Sequence, residues 1–216
     1  MTILALSDIH GAYDETARII ESNPSADVII IAGDLTTYGK PAEAESAIVR
    51  LQRFGKPVFV VAGNMDPPEL EGVFERLSVS LNGRGVVVGD VGFCGVSASP
   101  ISPLMTPNEI SEAEIAARAA QGWKEISAAR WKVFVPHAPP HNTRLDIIRS
   151  GRHVGSTAVR RFIEEFRPHA VVCGHIHEAR GVDVVGTSKV VNCGPAGHGM
   201  YSIVRIGSSV EIETLP

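Results

Sequence analysis

Short apolar runs and longer amphipathic stretches alternate along the first third of the chain. Met1–Ser7, Asp27–Ala32 and Pro57–Ala62 are nearly continuous in apolar residues and read as buried strands. Between the first two, Tyr13–Ser22 carries Ala17, Ile19 and Ile20 as its apolar positions, and Asn23-Pro24 stops it. Pro41–Phe54 repeats the pattern with Ala44, Ala47, Ile48 and Leu51 inward and Gly55 just past its end. A shorter helix follows from Pro67-Pro68 to about Leu77. Continuous apolar strands alternating with amphipathic helices predict parallel strands covered on their faces.

The middle changes period. Val86–Val88 and Val91–Val96 flank Gly89-Asp90, a hairpin signal that predicts some antiparallel pairing. Ser97–Thr106 is a Pro- and Ser-rich loop, and Asn108–Arg130 reads as one long helix with Gly122 as a kink. Lys132–Val135 is another buried strand, ending in Pro136-His137. Ser156 caps a helix to Phe166, which Pro168 stops. Val171–Cys173 then runs as a strand into Gly174, where the backbone bends tightly before His175-Ile176-His177. Short strands and Gly-rich turns continue from Gly181 to Glu213. No repeat, low-complexity tract or linker divides the chain, so residues 1–216 are expected to form a single domain. Residues 97–130 are a candidate lid or helical insertion, or equally a cover for one sheet face or a subunit contact.

Composition narrows the classes. With 216 residues, 44% hydrophobic and 20% charged, the chain can bury a substantial core. A net charge of -4 disfavours general electrostatic attraction to duplex nucleic acid, while leaving room for a small anionic substrate held by metal ions. Cys94, Cys173 and Cys193 form no CxxC and read as buried thiols in a reducing compartment. There is no basic n-region at the start and no apolar run of about 18 residues. The expectation is a soluble cytoplasmic protein without a membrane partner.

The chemistry gathers where strands end. Asp8, His10, Asp34, Asn64, His137, His175 and His177 all follow buried strands. In open parallel sheets the carboxyl ends of the strands form the ligand crevice, so five separate clusters point to one composite site. Two carboxylates, one amide and four imidazoles suit first-row divalent ions, and none is a soft thiolate. Seven ligands are too many for one tetrahedral ion but fit two ions sharing a carboxylate, about 3.5–4 Å apart. Such a pair activates a water as nucleophile near neutral pH, which favours in-line hydrolysis of a phosphoester.

Asp8-Ile9-His10, Gly33-Asp34, Gly63-Asn64, His137 and Gly174-His175-Ile176-His177 resemble, in order, the five blocks of the calcineurin-like metallophosphoesterases. Thr106-Pro107-Asn108-Glu109 and His153-Val154-Gly155-Ser156 look closest to the small microbial phosphoesterases related to the Icc protein. The resemblance implies a four-layer αββα sandwich of two mixed sheets flanked by helices, not a plain parallel sheet. It also implies that Asp8, His10 and His177 hold one metal, that Asn64, His137 and His175 hold the other, and that Asp34 bridges them. Asn192-Cys193-Gly194-Pro195 resembles the family's turn after the histidine pair and reads as structural.

One position departs from the family. Its third block is usually Gly-Asn-His-(Asp/Glu), and that His contacts the phosphate and helps protonate the leaving group. Met65 stands here and cannot donate a proton, while Asp66 is retained as a group that orients a ligand loop. His153, and after it His141, are the candidates to replace the missing acid, and Arg144 and Arg152 are candidates to grip a substrate anion. The function expected is two-metal hydrolysis of a small phosphodiester, such as a cyclic nucleotide, or of a monoester. Manganese heads the candidate ions, with iron, zinc and nickel also compatible, and a homo-oligomer is allowed. The alternatives are a nuclease on single-stranded nucleic acid and a non-catalytic interaction scaffold on the same fold.

Overall fold

The computed structural model describes residues 1–216. Its first half runs β1 (Thr2–Leu6), α1 (Tyr13–Ser22), β2 (Val28–Ala32), α2 (Pro41–Gln52), β3 (Val58–Val61) and α3 (Leu70–Arg76). The middle holds β4 (Gly85–Val88), β5 (Val91–Val96), β6 (Ser99–Pro100), β7 (Glu109–Ile110), α4 (Glu112–Glu125) and β8 (Trp131–Pro136). The last third adds α5 (Thr157–Phe166), β9 (Ala170–Cys173), β10 (Gly181–Val185), β11 (Ser188–Asn192), β12 (Tyr201–Ile206) and β13 (Val210–Leu215).

Two large mixed sheets result, ordered β13-β12-β1-β2-β3 and β10-β11-β9-β8-β5-β4. Alternation along each strand divides the core. Ile3, Ala5, Val28, Ile30 and Ala32 face Phe93, Val133, Val135 and Val172 between the sheets. Leu4, Leu6, Ile29 and Ile31 face the other way and pack with Ile20 of α1, Ile48 of α2 and Phe74 of α3. On the far side, α4 and α5 cover the second sheet through Ile115, Ala119, Phe162 and Ile163. This is the αββα sandwich. Strands apolar on both faces need covering on both, and here one cover is a second sheet.

Several local expectations shift for identifiable reasons. Helix α4 begins four residues later than Asn108, because Ser111 and Glu114 close a capping box. Asn108 is used elsewhere: its side-chain amide donates to Gly63 O at 3.0 Å and its backbone N–H donates to Asn64 O at 3.1 Å. Helix α4 runs without a break through Gly122, where a Cβ would lie 2.7 Å from Arg84 O, so the residue permits close packing. Of residues 97–130, α4 covers a sheet face, and only the loop preceding it borders the cavity described below.

Candidate metal centre

Strands β1, β2 and β3 are mutually parallel neighbours in one sheet, as are β8 and β9 in the other. All five carboxyl ends therefore open onto the same edge of the sandwich. Asp8, Asp34, Asn64, His137 and the His175/His177 pair occupy the turns immediately beyond them.

These turns are tight and cross-linked. Asp8, His10, Asp34 and His175 all take left-handed backbone conformations, with φ of 53°, 49°, 51° and 71°. Such conformations are unfavourable for non-glycine residues and persist where neighbours hold them. Here Asp8 N–H donates to Gly33 O, His10 N–H to Asp34 O, and His175 N–H to the Asp8 carboxylate at 3.1 Å. The bend after β9 thus falls on His175, not on Gly174 as expected. Gly174 serves closeness instead: a Cβ there would lie 1.7 Å from Ser7 Oγ and 2.4 Å from Asp8 Oδ2. Gly174→Ala is accordingly expected to cost at least the upper end of the roughly 1–3 kcal/mol typical of overpacking. Chemical denaturation of the metal-free protein measures it, and a loss below about 0.5 kcal/mol contradicts the packing argument.

The side chains converge. Ligand atoms of Asp8, His10 and His177 lie within 4.8 Å of one another, and so do those of Asp8, Asp34 and His137. Asp8 thus lies within reach of both groups, while the family resemblance implies a place for it in the first. His177 Nε2 is 3.3 Å from Asp8 Oδ1. Asn64 Oδ1 lies 2.9 Å from His137 Nε2 and 2.7 Å from His175 Nδ1. Two ligands at right angles on an ion about 2.1 Å away would sit about 3 Å apart, close to these spacings. Asp34 Oδ2 lies between the groups, 3.6 Å from His10 Nε2 and 3.6 Å from His137 Nε2.

The donor set suits cations. His137 spends its Nδ1–H on Ala32 O at 2.8 Å, which turns Nε2 toward the oxygens of Asn64 and Asp34. That arrangement is attractive only with a second proton or a cation between them. His10 is turned similarly by Thr37, whose Oγ1 is 2.9 Å from His10 Nδ1. Burial, with the carboxylates of Asp8 and Asp66 nearby, pushes the Asp34 carboxyl up to about 7 against the pull of His137. Burial and the neighbouring His137 push His175 down to about 3, which leaves its lone pair available. In Asp8, burial acts upward, but its bond with His177 and the surrounding imidazoles outweigh it and hold the carboxyl at about 2.

Two surrounding groups brace the turns. Asp66 is buried and accepts Leu35 N–H, Thr36 N–H and Gly63 N–H, tying the Asp34 turn to the Asn64 turn. Asn192 donates from Nδ2 to Ile176 O at 2.8 Å and steadies the histidine pair. Thr37 and Asn108 also orient the site; no local pattern marks Thr37, and Asn108 lies in the Thr106–Glu109 stretch that carries part of the resemblance without a role assigned to it there.

His153 and His141 are placed elsewhere. His153 Nδ1 lies 2.7 Å from Asp146 Oδ1, and His141 Nδ1 lies 3.4 Å from Asp146 Oδ2. Asp146 is buried, and it draws both imidazoles away from the cavity over the ligand cluster. His153 is flanked by Arg152 and Val154, which do line that cavity, so alternation turns His153 to the opposite side. Neither ring is among the side chains that line that cavity. Arg144 is likewise taken up by Asp183 and Val182 O, while Arg152 stays at the cavity.

Comparison with known proteins agrees with the fold. The sequence pattern described as calcineurin-like phosphoesterase matches residues 1–179. An uncharacterized protein of Methanocaldococcus jannaschii is 32% identical over 206 residues, covering 93% of this chain and 91% of that one. Protein TT1561 of Thermus thermophilus superposes with a TM-score of 0.79 at 20% identity, covering 99% of this chain and 97% of the other. A dimetal phosphatase of Danio rerio superposes at 0.70 with 11% identity, covering 99% and 98%. The chain therefore belongs to the calcineurin-like phosphoesterase family.

Proposed function

We propose that this protein hydrolyses a small phosphoester at a centre of two divalent metal ions. The observation that carries the reading is the position of Asp34 Oδ2, 3.6 Å from the facing imidazole nitrogen of each ligand group. One carboxylate oxygen in that place can serve both ions. Asp8, His10 and His177 would hold the first, and Asn64, His137 and His175 the second. When bound, two such ions supply Lewis acidity toward phosphoryl oxygens and an activated water. The chain's own part is to fix both ligand sets on rigid strand ends and to bury Asp8, Asp34 and His137. Nitrogen and oxygen donors accommodate manganese, iron, zinc or nickel, with manganese the first to try. Three unpaired, buried cysteines fit a reducing compartment such as the cytoplasm.

Incubation with Mn²⁺ and bis-p-nitrophenyl phosphate tests the reading directly. Turnover that requires added metal is expected; a stable metal complex inert toward a broad phosphoester panel would favour the scaffold alternative instead. Preference for single-stranded oligonucleotides over small esters would favour the nuclease.

Leaving-group dependence is a separate expectation. The titratable side chains lining the cavity are candidate ligands or Arg152, and Met65 stands where the family carries its acid. Without a positioned acid, a factor of about 10²–10⁴ is forfeited on poor leaving groups. Alkyl esters are therefore expected to fall behind p-nitrophenyl esters by that factor beyond their intrinsic difference. His153→Ala and His141→Ala should leave the ratio unchanged; a selective loss on the alkyl ester would restore them as acids.

A further inference from the structure

A cavity of about 570 Å³ opens over the ligand cluster, within the size range of small-molecule sites. A bare phosphoryl group, comparable to a few waters of about 30 Å³ each, fills little of it. His10, Asp34, Asn64, His175 and His177 form one end. Met65 and Ile176, within the ligand turns, complete that end, and the remaining walls come from two segments that supply no candidate ligand.

The first wall is the loop between β6 and β7, and Glu109 holds it in shape. The Glu109 carboxylate accepts Ser102 N–H and Thr106 N–H at 2.8 and 2.9 Å and both hydroxyls at 2.8 and 2.6 Å. Slight burial acts upward, but these bonds outweigh it and hold the carboxyl at about 2, so the brace stays closed at neutral pH. The braced loop presents Ile101 and Leu104 along the cavity while they remain 71% and 80% exposed. Apolar side chains fixed in water beside a polar centre commonly mark a binding surface.

The second wall is the segment from Ile148 to Val154, held from behind by Asp146. That buried carboxylate accepts Asn142 N–H, Thr143 N–H and Gly155 N–H, and it anchors His153. With His153 turned back, Ile148, Arg152 and Val154 face the cavity. Outside the ligand cluster, Arg152 is the one charged side chain among the lining residues. It has no ion-pair partner, whereas Arg144 a few residues earlier pairs with Asp183. A guanidinium fork free of carboxylates, on a preorganised loop, suits a carboxylate or phosphate.

We infer that the cavity selects an organic phosphoester with an apolar body, resting on Ile101, Leu104, Ile148 and Val154, and a second anionic group held by Arg152. The inference rests on the phosphoryl group being seated at the ligand cluster, as proposed above. It makes Arg152 and Leu104 specificity-determining residues, and neither takes part in the chemical step.

Non-hydrolysable phosphonates separate the contributions, with binding to the Mn²⁺-loaded protein measured by calorimetry. Methylphosphonate reports the ligand cluster alone, a naphthylmethylphosphonate adds an apolar body, and its carboxylated counterpart adds a second charge. Each addition is expected to tighten binding by about tenfold, the equivalent of 1.4 kcal/mol. Leu104→Asp should erase the naphthyl-to-methyl ratio. Arg152→Ala should erase the carboxylated-to-plain ratio, with Arg152→Lys restoring part of it. If methylphosphonate binds and neither ratio exceeds about twofold in the parent protein or changes in the variants, the selectivity inference is overturned and the metal site stands. If methylphosphonate fails to bind the metal-loaded protein, the proposed function falls, and this inference with it.

Discussion

Asp34→Asn is expected to preserve the fold, cut metal-dependent turnover on the order of 10³-fold or more, and leave at most one tightly held metal equivalent. The substitution is isosteric and keeps an amide oxygen able to accept Met65 N–H, which Asp34 Oδ1 accepts at 2.8 Å. What it removes is the negative charge on Oδ2, the atom between the two ligand groups. Elemental analysis and steady-state kinetics on the same preparation check both parts. Two full equivalents with turnover within tenfold of the parent would sink the bridging role.

The same variant has an opposite effect without metal. The folded-state pKa of Asp34 is pushed up to about 7, against an unfolded value near 3.9. A carboxyl raised in this way penalises the folded state once it ionises. The penalty, on the order of a few kcal/mol, is fully present above about pH 7 and vanishes below about pH 4. Asp8, held at about 2, works in the other direction and withdraws its stabilisation only as pH falls from about 4 toward 2. In a chelator, the Asp34→Asn variant should therefore be more stable than the parent at pH 8 and lose that advantage as pH falls to about 4. Urea midpoints across pH measure this, and equal midpoints at pH 8 would contradict it. Added metal should then stabilise the parent far more than the variant, since a ligand stabilises the state that binds it.

Much of this centre was legible because the strand ends are locally conspicuous. An all-apolar Val28–Ala32 followed by Gly33-Asp34 marks a buried strand and its exit without any knowledge of its neighbours. Tyr13–Ser22 was readable for the same reason, an amphipathic face closed by Asn23-Pro24. The division into two sheets was not readable from periodicity. It depends on β12 returning beside β1 some 200 residues later, and the sandwich came from the resemblance to a known family. The orientation of His153 was equally hidden. Its sequence neighbours look like an active-site loop, yet the direction of the ring is set by the buried Asp146, seven residues earlier. Asn108 read as a helix start because nothing local reveals that Gly63 O lies beside its side chain. The legible part was thus the chemistry at the end of each strand, and the illegible part was which buried partner each side chain meets.

Asp66→Ala is expected to cost on the order of 4 kcal/mol and to abolish binding of both metals, although Asp66 is no candidate ligand. Its two oxygens accept Leu35 N–H at 3.0 Å, Thr36 N–H at 2.8 Å, Thr36 Oγ1–H at 2.8 Å and Gly63 N–H at 2.9 Å. Removing them strands three buried backbone donors, each worth roughly 1–3 kcal/mol when left unmade. Simple addition overstates the loss, since neighbouring effects are not independent and the turns can relax toward water. Even so, the cost is a large share of the roughly 5–15 kcal/mol that typically holds a domain together. Relaxation is also what releases the metals. Asp34 sits one residue before Leu35, and Asn64 one residue after Gly63, so both ligand turns lose a common anchor. A graded series keeps the outcome readable if the alanine variant is hard to purify. Thr36→Val removes a hydroxyl that donates to Asp66 and accepts Gly39 N–H, and should cost about 1–3 kcal/mol with both metals retained. Asp66→Asn keeps one carbonyl oxygen and should fall between the two in stability and in metal content. Stability and metal occupancy should decline together along that series, because one carboxylate braces both turns. An alanine variant within about 1 kcal/mol of the parent and fully metallated would mean that the two ligand turns hold their positions independently of Asp66.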